Sequence, residues 1–259
     1  MNKVLIADSV SSAVSEVFDK NGIAYDTKIG LSEDELATEI TEYSGLIVRS
    51  AVTVTEKIIN SAINLKVIGR PGVGVDNVDL KAATNNGIVV MNTPLGNVQA
   101  TAELTFGIMH SLMRKISNAN QSMHQKKWEK KKFIGNEMYG KTIGIIGFGN
   151  IGKKVSQIAH AYGMNVLVYS ASISSEDEKK FNVTNQSIDD ILEGADIITF
   201  HNKLSENSKY LINSNAITKM KKNAIIINCA RGGLVNEKDI KEALEKGNIA
   251  GYGCDAVSY

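Results

Sequence analysis

The 259-residue chain has little proline (2 residues), little cysteine (2) and few aromatics (6%, with a single tryptophan). The two cysteines, Cys229 and Cys254, each sit inside an apolar run, which excludes a disulfide-stapled secreted scaffold and a cysteine zinc cluster. A reducing, cytoplasmic compartment and a metal-free site are the expectations. No charge of one sign dominates: 29 Lys+Arg stand against 28 Asp+Glu, so neither nucleic acid nor a membrane surface is an expected partner. Long hydrophobic runs are missing too. The first apolar run, at 4–7, is too short for a signal-peptide core and far short of the roughly 20 residues of a membrane span.

Glycine, by contrast, is plentiful at 22 residues, and many glycines lie at the ends of short Val/Ile-rich runs. The runs VLIA (4–7), GLIV (45–48), KVIG (66–69) and IVVM (88–91) read as strands of a parallel sheet covered on both faces. An amphipathic stretch over 98–124 reads as one long helix that leaves this unit for another. The alternation then resumes with TIGIIG (142–147), NVLVYS (165–170), DIITF (196–200), AIIIN (224–228) and IAGYG (249–253). Helices are expected between them at 152–162, 187–192 and 237–246. This order predicts an α/β protein of two doubly wound domains, 1–97 and 98–259, with right-handed crossovers.

Two charged stretches have a plain reading. KKWEKKK (126–132) is a solvated segment, with phosphate contact as the competing reading; SSEDEKK (174–180) is a helix start capped by Ser174 or Ser175.

Chemistry enters at Gly147-Phe148-Gly149-Asn150-Ile151-Gly152, which follows a strand and opens a helix, as a dinucleotide fingerprint requires. Gly147 makes the turn, Gly149 admits a pyrophosphate close to the backbone, and Gly152 lets helix and strand approach. The N–H groups near Asn150 and Ile151 then face the anion. The competing reading is a merely tight strand-to-helix turn. The acidic residue expected after the second strand, as partner of a ribose 2′-hydroxyl, is replaced by Ser170, so NAD is the expected cofactor with NADP not excluded. Farther on, INCARGGLVNE (227–237) places Arg231 just beyond a strand's carboxyl end, where its planar fork could hold a carboxylate and polarise a carbonyl. A surface arginine paired with Glu237 is the alternative.

These stretches, together with IVRSAVTVT (47–55), KVIGRPGVGVDNVDL (66–80), GIVVMNTPLGN (87–97), TAELTFGIM (101–109) and KWEKKKFIGNEMYGKTIGIIGFGNIGKKV (127–155), resemble the D-isomer-specific 2-hydroxyacid dehydrogenases. The resemblance implies a flavodoxin-like substrate domain followed by a Rossmann domain. It makes Arg231 the catalytic arginine, holding the substrate carboxylate. It assigns Gly147, Gly149, Asn150, Ile151 and Gly152 to the dinucleotide phosphates, and Ser170 and Asn202 to the adenosine side. Cys229, Ala230, Arg231 and Asp255 would line the nicotinamide end, with Val73 beside it. Arg49, Ser50, Gly72, Val73, Gly74 and Asn97 would come from the first domain to the substrate, a phosphorylated 2-hydroxy acid. A homo-oligomer, dimer or tetramer, is also implied.

The chain departs from the family pattern at Ser170, at His201-Asn202-Lys203, where the family reads His-Val-Pro or similar, and at Pro71. In the family the proton donor is a histidine supported by a glutamate, both beyond the position matching Asp255. None of the four histidines here substitutes for it on sequence grounds. The expectation is therefore a fragment of a longer enzyme, missing its return segment and leaving one sheet edge unpaired. A non-catalytic NAD(H)-binding sensor, an inactive truncated remnant and a related glyoxylate/hydroxypyruvate reductase are the rival readings.

Overall fold

Strands that are apolar on both faces must be covered on both, and the computed structural model builds two sheets on that rule. It describes residues 3–257; Met1, Asn2, Ser258 and Tyr259 lie outside the described residues. The chain divides into two compact units, Met1–Asn97 and Val98–Tyr259.

The first unit runs β1 (Lys3–Ile6), α1 (Ala13–Lys20), β2 (Ala24–Thr27), α2 (Glu33–Glu39), β3 (Gly45–Ile47), α3 (Glu56–Ser61), β4 (Val67–Arg70), α4 (Leu80–Asn85) and β5 (Val89–Asn92). Its five strands are all parallel in the order β2-β1-β3-β4-β5, the flavodoxin-like order. The core gathers Leu5, Leu46 and Ile68 from the strands with Leu36, Ile40, Ile58 and Ile59 from the helices and the turn after α2. Sequence patterning missed β2, and the reason is physical. AYDT lies on an edge and carries Asp26, whose carboxylate accepts from Tyr43 Oη and Lys3 Nζ, both at 2.5 Å, so side-chain partners rather than an apolar pattern hold it.

The second unit runs α5 (Val98–Met113), α6 (Ile116–His124), β6 (Thr142–Ile146), α7 (Asn150–Ala161), β7 (Asn165–Tyr169), α8 (Ser175–Phe181), β8 (Thr184–Asn185), α9 (Ile188–Gly194), β9 (Ile197–Phe200), α10 (Ser214–Lys219), β10 (Ile225–Asn228), α11 (Glu237–Glu245) and β11 (Gly251–Cys254). The order β11-β10-β9-β6-β7-β8 is the dinucleotide-binding order, reversing direction between β6 and β9. In β9 and β10 every residue is buried. Because side chains alternate, Ile198, Phe200 and Ile226 pack with Ile191, Ile217 and Ile240 on one face. Ile143, Ile145, Ile197 and Ile227 pack with Phe106, Met109, Val155 and Ala159 on the other. Truncating a buried aromatic such as Phe200 to alanine costs about 3–5 kcal/mol.

Several sequence expectations need correction here. The expected single helix over 98–124 is two helices, because Lys115 takes a left-handed conformation (φ 53°) and the Met113 carbonyl accepts from the Asn136 N–H at 2.9 Å instead of continuing the helix. The segment around Gly135 crosses so closely at this break that a Cβ there would meet the Met113 carbonyl. The two-residue β8 was not foreseen, so the runs at 196–200 and 224–228 are the fourth and fifth strands of the unit rather than the third and fourth. The last strand spans Gly251–Cys254, two residues later than expected at its start. Helix α7 begins at Asn150, and α9 follows its cap Ser187 and extends to Gly194. Ser174 caps α8, and KKWEKKK holds only a short 3-10 turn (Lys130–Phe133) with Lys132 paired to Glu129.

Candidate active site

In an open parallel sheet, ligands bind beyond the carboxyl ends of the strands where the strand order reverses. In the second unit that point lies between β6 and β9, and the glycine turn sits there. Gly147 has φ +100°, donates its N–H to the Tyr169 carbonyl at 2.8 Å, and would place a Cβ 2.5 Å from the Asn202 nitrogen. At Gly152 a Cβ would strike the Gly147 carbonyl, so only glycine lets α7 start this close to the strand. A Cβ on Gly149, in contrast, would meet nothing within 4 Å. That opening lies directly at the helix N-terminus.

The electrostatics of the turn agree with its shape. Side chains cap α2, α3, α4, α8, α9, α10 and α11 through Ser32, Thr55, Asp79, Ser174, Ser187, Asn213 and Asn236. Helix α7 starts on Gly149 with no side-chain cap, as α1 and α6 also do on Ser12 and Lys115, and no acidic residue stands in its first turn. Its first-turn N–H groups are thus left to an external acceptor, and the dipole favours a negative one. This is the fit expected of a pyrophosphate cradle formed by Gly149, Asn150, Ile151 and Gly152.

Under the turn, β9 is followed by His201 and Asn202. The His201 N–H donates to the Ile146 carbonyl at 2.7 Å, and its Nε2 lies 3.1 Å from Thr199 Oγ1. His201 Nδ1 and Asn202 Oδ1 are enclosed and have no hydrogen-bond partner. Burial pushes the His201 imidazole down to about 3, so the ring is neutral at neutral pH. Two orphaned polar atoms beside an uncapped helix end are a second sign of a polar ligand.

At the end of β10, fully buried Asn228 anchors the next turn: its Nδ2 donates to the Arg231 carbonyl at 2.9 Å and its Oδ1 accepts from the Ala230 N–H at 3.1 Å. Arg231 Nη1 also donates to the Ala230 carbonyl at 2.9 Å. The neighbouring β11 joins through Asp255, whose N–H donates to the Asn228 carbonyl at 3.0 Å. Cys229, Ala230, Arg231 and Asp255 therefore share one strand-end cluster. Burial pushes the Cys229 thiol up, with Asp255 and Cys254 adding to the rise and a hydrogen bond with Thr105 opposing it. A protonated, half-buried thiol lines a surface rather than attacking a substrate. Ser170 stands apart from this cluster, at the far side of the glycine turn after β7, with its N–H donating to Asn185 Oδ1 at 3.0 Å.

The first unit carries its own cluster at the ends of β3 and β4. Asp8, 5% exposed, accepts from the backbone N–H groups of Ser9, Arg49 and Ala51 at 2.7, 2.9 and 3.0 Å. Asn77 Nδ2 donates to the carbonyls of Arg49 and Val52, both at 2.5 Å, and its Oδ1 accepts from Arg70 Nε at 3.2 Å. The guanidinium of Arg70 lies over Gly72, where a Cβ would be. The Gly72 and Val73 carbonyls accept from the Thr93 N–H (2.9 Å) and Asn92 Nδ2 (2.7 Å), so the Gly72-Val73-Gly74 loop is hung from the end of β5. Arg49 and Ser50 are exposed at this end, and Asn97 closes the unit.

Asp8, Arg70, Asn77 and Asn228 were not singled out in the sequence, although Arg70, Asn77 and Asn228 lie inside quoted motifs. The available signal was a polar residue at the carboxyl end of an apolar strand. Among the described residues no group of His, Cys, Asp and Glu could hold a metal ion, and no helix is long and apolar enough to cross a membrane.

Fold and cradle together define a two-unit α/β protein whose second unit has the architecture of a dinucleotide-binding domain. Residues 106–259 match the family described as D-isomer specific 2-hydroxyacid dehydrogenase, NAD binding domain, and the chain belongs to that family. It is 42% identical over 98% of its length to the D-3-phosphoglycerate dehydrogenase of Bacillus subtilis, and 44% identical over 100% to that of Homo sapiens. The chain spans about half the length of these curated relatives, 48% in each case. A solved Thermus thermophilus protein superposes with a TM-score of 0.90 at 29% identity, covering 98% of this chain and 82% of the other.

Proposed function

We propose that this chain is the substrate- and NAD(H)-binding part of an oxidoreductase of D-2-hydroxy acids, and that its substrate is 3-phospho-D-glycerate, oxidised to 3-phosphohydroxypyruvate. The observation that carries the reading is Arg231 held by buried Asn228 at the same sheet end as the uncapped glycine turn. The substrate choice rests on the names of the relatives and on the anion chemistry of the first unit.

When bound, NAD supplies the carbon that accepts hydride from the substrate's hydroxyl-bearing carbon. The chain's own residues bind and orient. Arg231 presents a planar fork to the carboxylate and draws electron density from the adjacent oxygen, stabilising charge that develops there. Asn228 fixes the turn from which that fork projects. Gly149, Asn150, Ile151 and Gly152 would hold the pyrophosphate, and Asp255 would accept from the carboxamide. Within the first unit, Arg49 follows β3 and Arg70 ends the neighbouring β4, and a guanidinium suits a phosphate because its fork matches two of the phosphate oxygens.

A proton must also leave the hydroxyl, and no histidine of the chain is placed to take it. His110 Nε2 is bonded to Tyr162 Oη at 2.8 Å and His160 Nε2 to the Phe181 carbonyl at 3.0 Å. His124 ends α6, and His201 is neutral beneath the glycine turn. General acid–base catalysis contributes about 10²- to 10⁴-fold, so the 259-residue chain should bind NADH and turn over slowly by that factor.

The test is NADH oxidation with 3-phosphohydroxypyruvate, hydroxypyruvate, glyoxylate and pyruvate, alongside NADH binding. A kcat/KM for the phosphorylated ketoacid at or below that for the others overturns the substrate assignment. Arg231→Lys keeps the charge and loses the fork, and undiminished turnover in that variant removes Arg231 from its role.

A further inference from the structure

We propose that the ribose end of the dinucleotide site accepts a 2′-phosphate as readily as a 2′-hydroxyl, with Ser170 as the residue that permits it and Asn185 as the positioning residue behind Ser170. This inference rests on the dinucleotide reading above and deepens it, since it names a second cofactor for the same cradle.

The placement comes from one bond. The Gly147 N–H donates to the Tyr169 carbonyl at 2.8 Å, so the residue after Tyr169 stands beside the first glycine of the turn. In dinucleotide folds that strand end meets the adenosine ribose, and an acidic residue there both binds the 2′-hydroxyl and repels a 2′-phosphate. Here the residue is Ser170. Its hydroxyl accepts from the Ser172 N–H at 3.4 Å, which leaves the hydroxyl proton to donate outward to either a ribose oxygen or a phosphate oxygen.

Among the described residues no carboxylate is bonded to Ser170, whose partners are Asn185 and Ser172. Of the acidic residues that open α8, Asp177 is paired with Lys153 at 2.8 Å, and Glu178 accepts from the Asn185 N–H at 2.7 Å. Glu176 is exposed and makes no hydrogen bond or ion pair. The same pairing engages Lys153, and the loop from Ser170 to Ser174 carries no cation. The strand-end position and the loop after it therefore lack the carboxylate that repels a 2′-phosphate and also lack a guanidinium that would prefer one.

Asn185 keeps this neutral platform in place. Its Oδ1 accepts from the Ser170 N–H at 3.0 Å and its Nδ2 donates to the Ser170 carbonyl at 3.2 Å, so both backbone groups of Ser170 are satisfied by one side chain. Glu178 in turn fixes the Asn185 backbone. The ribose loop is thus clamped from β8 by a neutral side chain.

The experiment titrates the 259-residue chain with NADH and with NADPH, following dinucleotide fluorescence, and repeats it for Ser170→Asp and Asn185→Ala with thermal unfolding as a control. The expected ratio Kd(NADPH)/Kd(NADH) for the unaltered chain is below about 10, and Ser170→Asp raises it at least about tenfold through like-charge repulsion. Asn185→Ala weakens both dinucleotides by a similar factor, leaving the ratio unchanged and the chain folded. A ratio above about 100 in the unaltered chain, or one that Ser170→Asp leaves in place, overturns the inference while the NAD site stands. Equal binding of both cofactors by Asn185→Ala and the unaltered chain removes Asn185 from its role. Failure to bind either dinucleotide overturns the cofactor reading itself.

Discussion

Asn228 is the residue on which the proposed catalytic turn depends, and replacing it gives the sharpest test of the architecture. Its side chain is fully buried and makes two hydrogen bonds, from Nδ2 to the Arg231 carbonyl (2.9 Å) and to Oδ1 from the Ala230 N–H (3.1 Å). Asn228→Ala removes both, at about 1 kcal/mol each, and strands two backbone groups whose desolvation adds to the loss. The sum is a destabilisation of about 2–4 kcal/mol. At about 2–4 °C per kcal/mol for a unit of this size, the unfolding midpoint of the second unit should fall by roughly 4–16 °C. Circular dichroism followed through thermal unfolding measures it, and NADH titration reports on the turn.

Asn228→Asp separates the hydrogen bonds from the volume. It keeps the acceptor for the Ala230 N–H but turns an oxygen toward the Arg231 carbonyl. Burial raises the folded-state pKa of such a carboxyl above its unfolded value, so the variant is least impaired at low pH, where the protonated form can donate, and loses stability as pH rises through the folded-state pKa. A midpoint within about 2 °C of the unaltered chain for Asn228→Ala, or no pH dependence in the stability difference for Asn228→Asp, refutes the anchoring role.

Other expectations follow from single distances and angles. Gly152→Ala sets a Cβ against the Gly147 carbonyl, so NADH affinity should fall at least about tenfold, read by fluorescence titration; unaltered affinity would show that the turn does not bind the pyrophosphate. Lys115→Gly relieves a left-handed residue between α5 and α6 and should raise stability by about 0.5–1 kcal/mol in urea unfolding, whereas a loss would mean the Lys115 side chain matters more than its backbone. His201 is neutral in the fold, with its value near 3, while the unfolded chain protonates it near 6.5. Its contribution to stability is full above about pH 6.5 and is lost as pH falls toward 3, by up to about 1.4 kcal/mol per pH unit. His201→Gln should flatten the acid limb of the unfolding midpoint against pH, and an unchanged limb would place the acid sensitivity elsewhere.

Much of the fold is legible in the sequence because buried parallel strands must be apolar on both faces, and VLIA, TIGII, IITF and IIIN stand out on that ground alone. The glycine turn is legible for a related reason, since the positive φ of Gly147 and the collision of a Gly152 Cβ with the Gly147 carbonyl are local constraints, although the collision of a Gly147 Cβ with Asn202 is not. What patterning could not reach are elements held by side-chain partners. Edge strand β2 depends on Asp26 meeting Tyr43 and Lys3, and the two-residue β8 contributes Asn185 to the loop after β7. The break between α5 and α6 depends on a bond from Asn136, far along the chain, to the Met113 carbonyl.

The candidate site divides along the same line. Residue identity alone marked Gly147, Gly149, Gly152, Ser170 and Arg231, because a tight turn, a missing charge and a strand-end guanidinium can be read from type and position. Only tertiary structure showed the work of Asp8 and Asn77, which satisfy backbone groups brought in from another strand end, and the full burial of Asn228 as it holds the turn that follows it. Only it showed His201 as a neutral imidazole with an enclosed Nδ1 beneath the glycine turn and α7 as an uncapped helix beside it. The physical reason is that periodicity and turn chemistry are local and act within a few residues. Burial, desolvation and the pairing of polar groups across strands are set by which distant segments the sheet order makes neighbours.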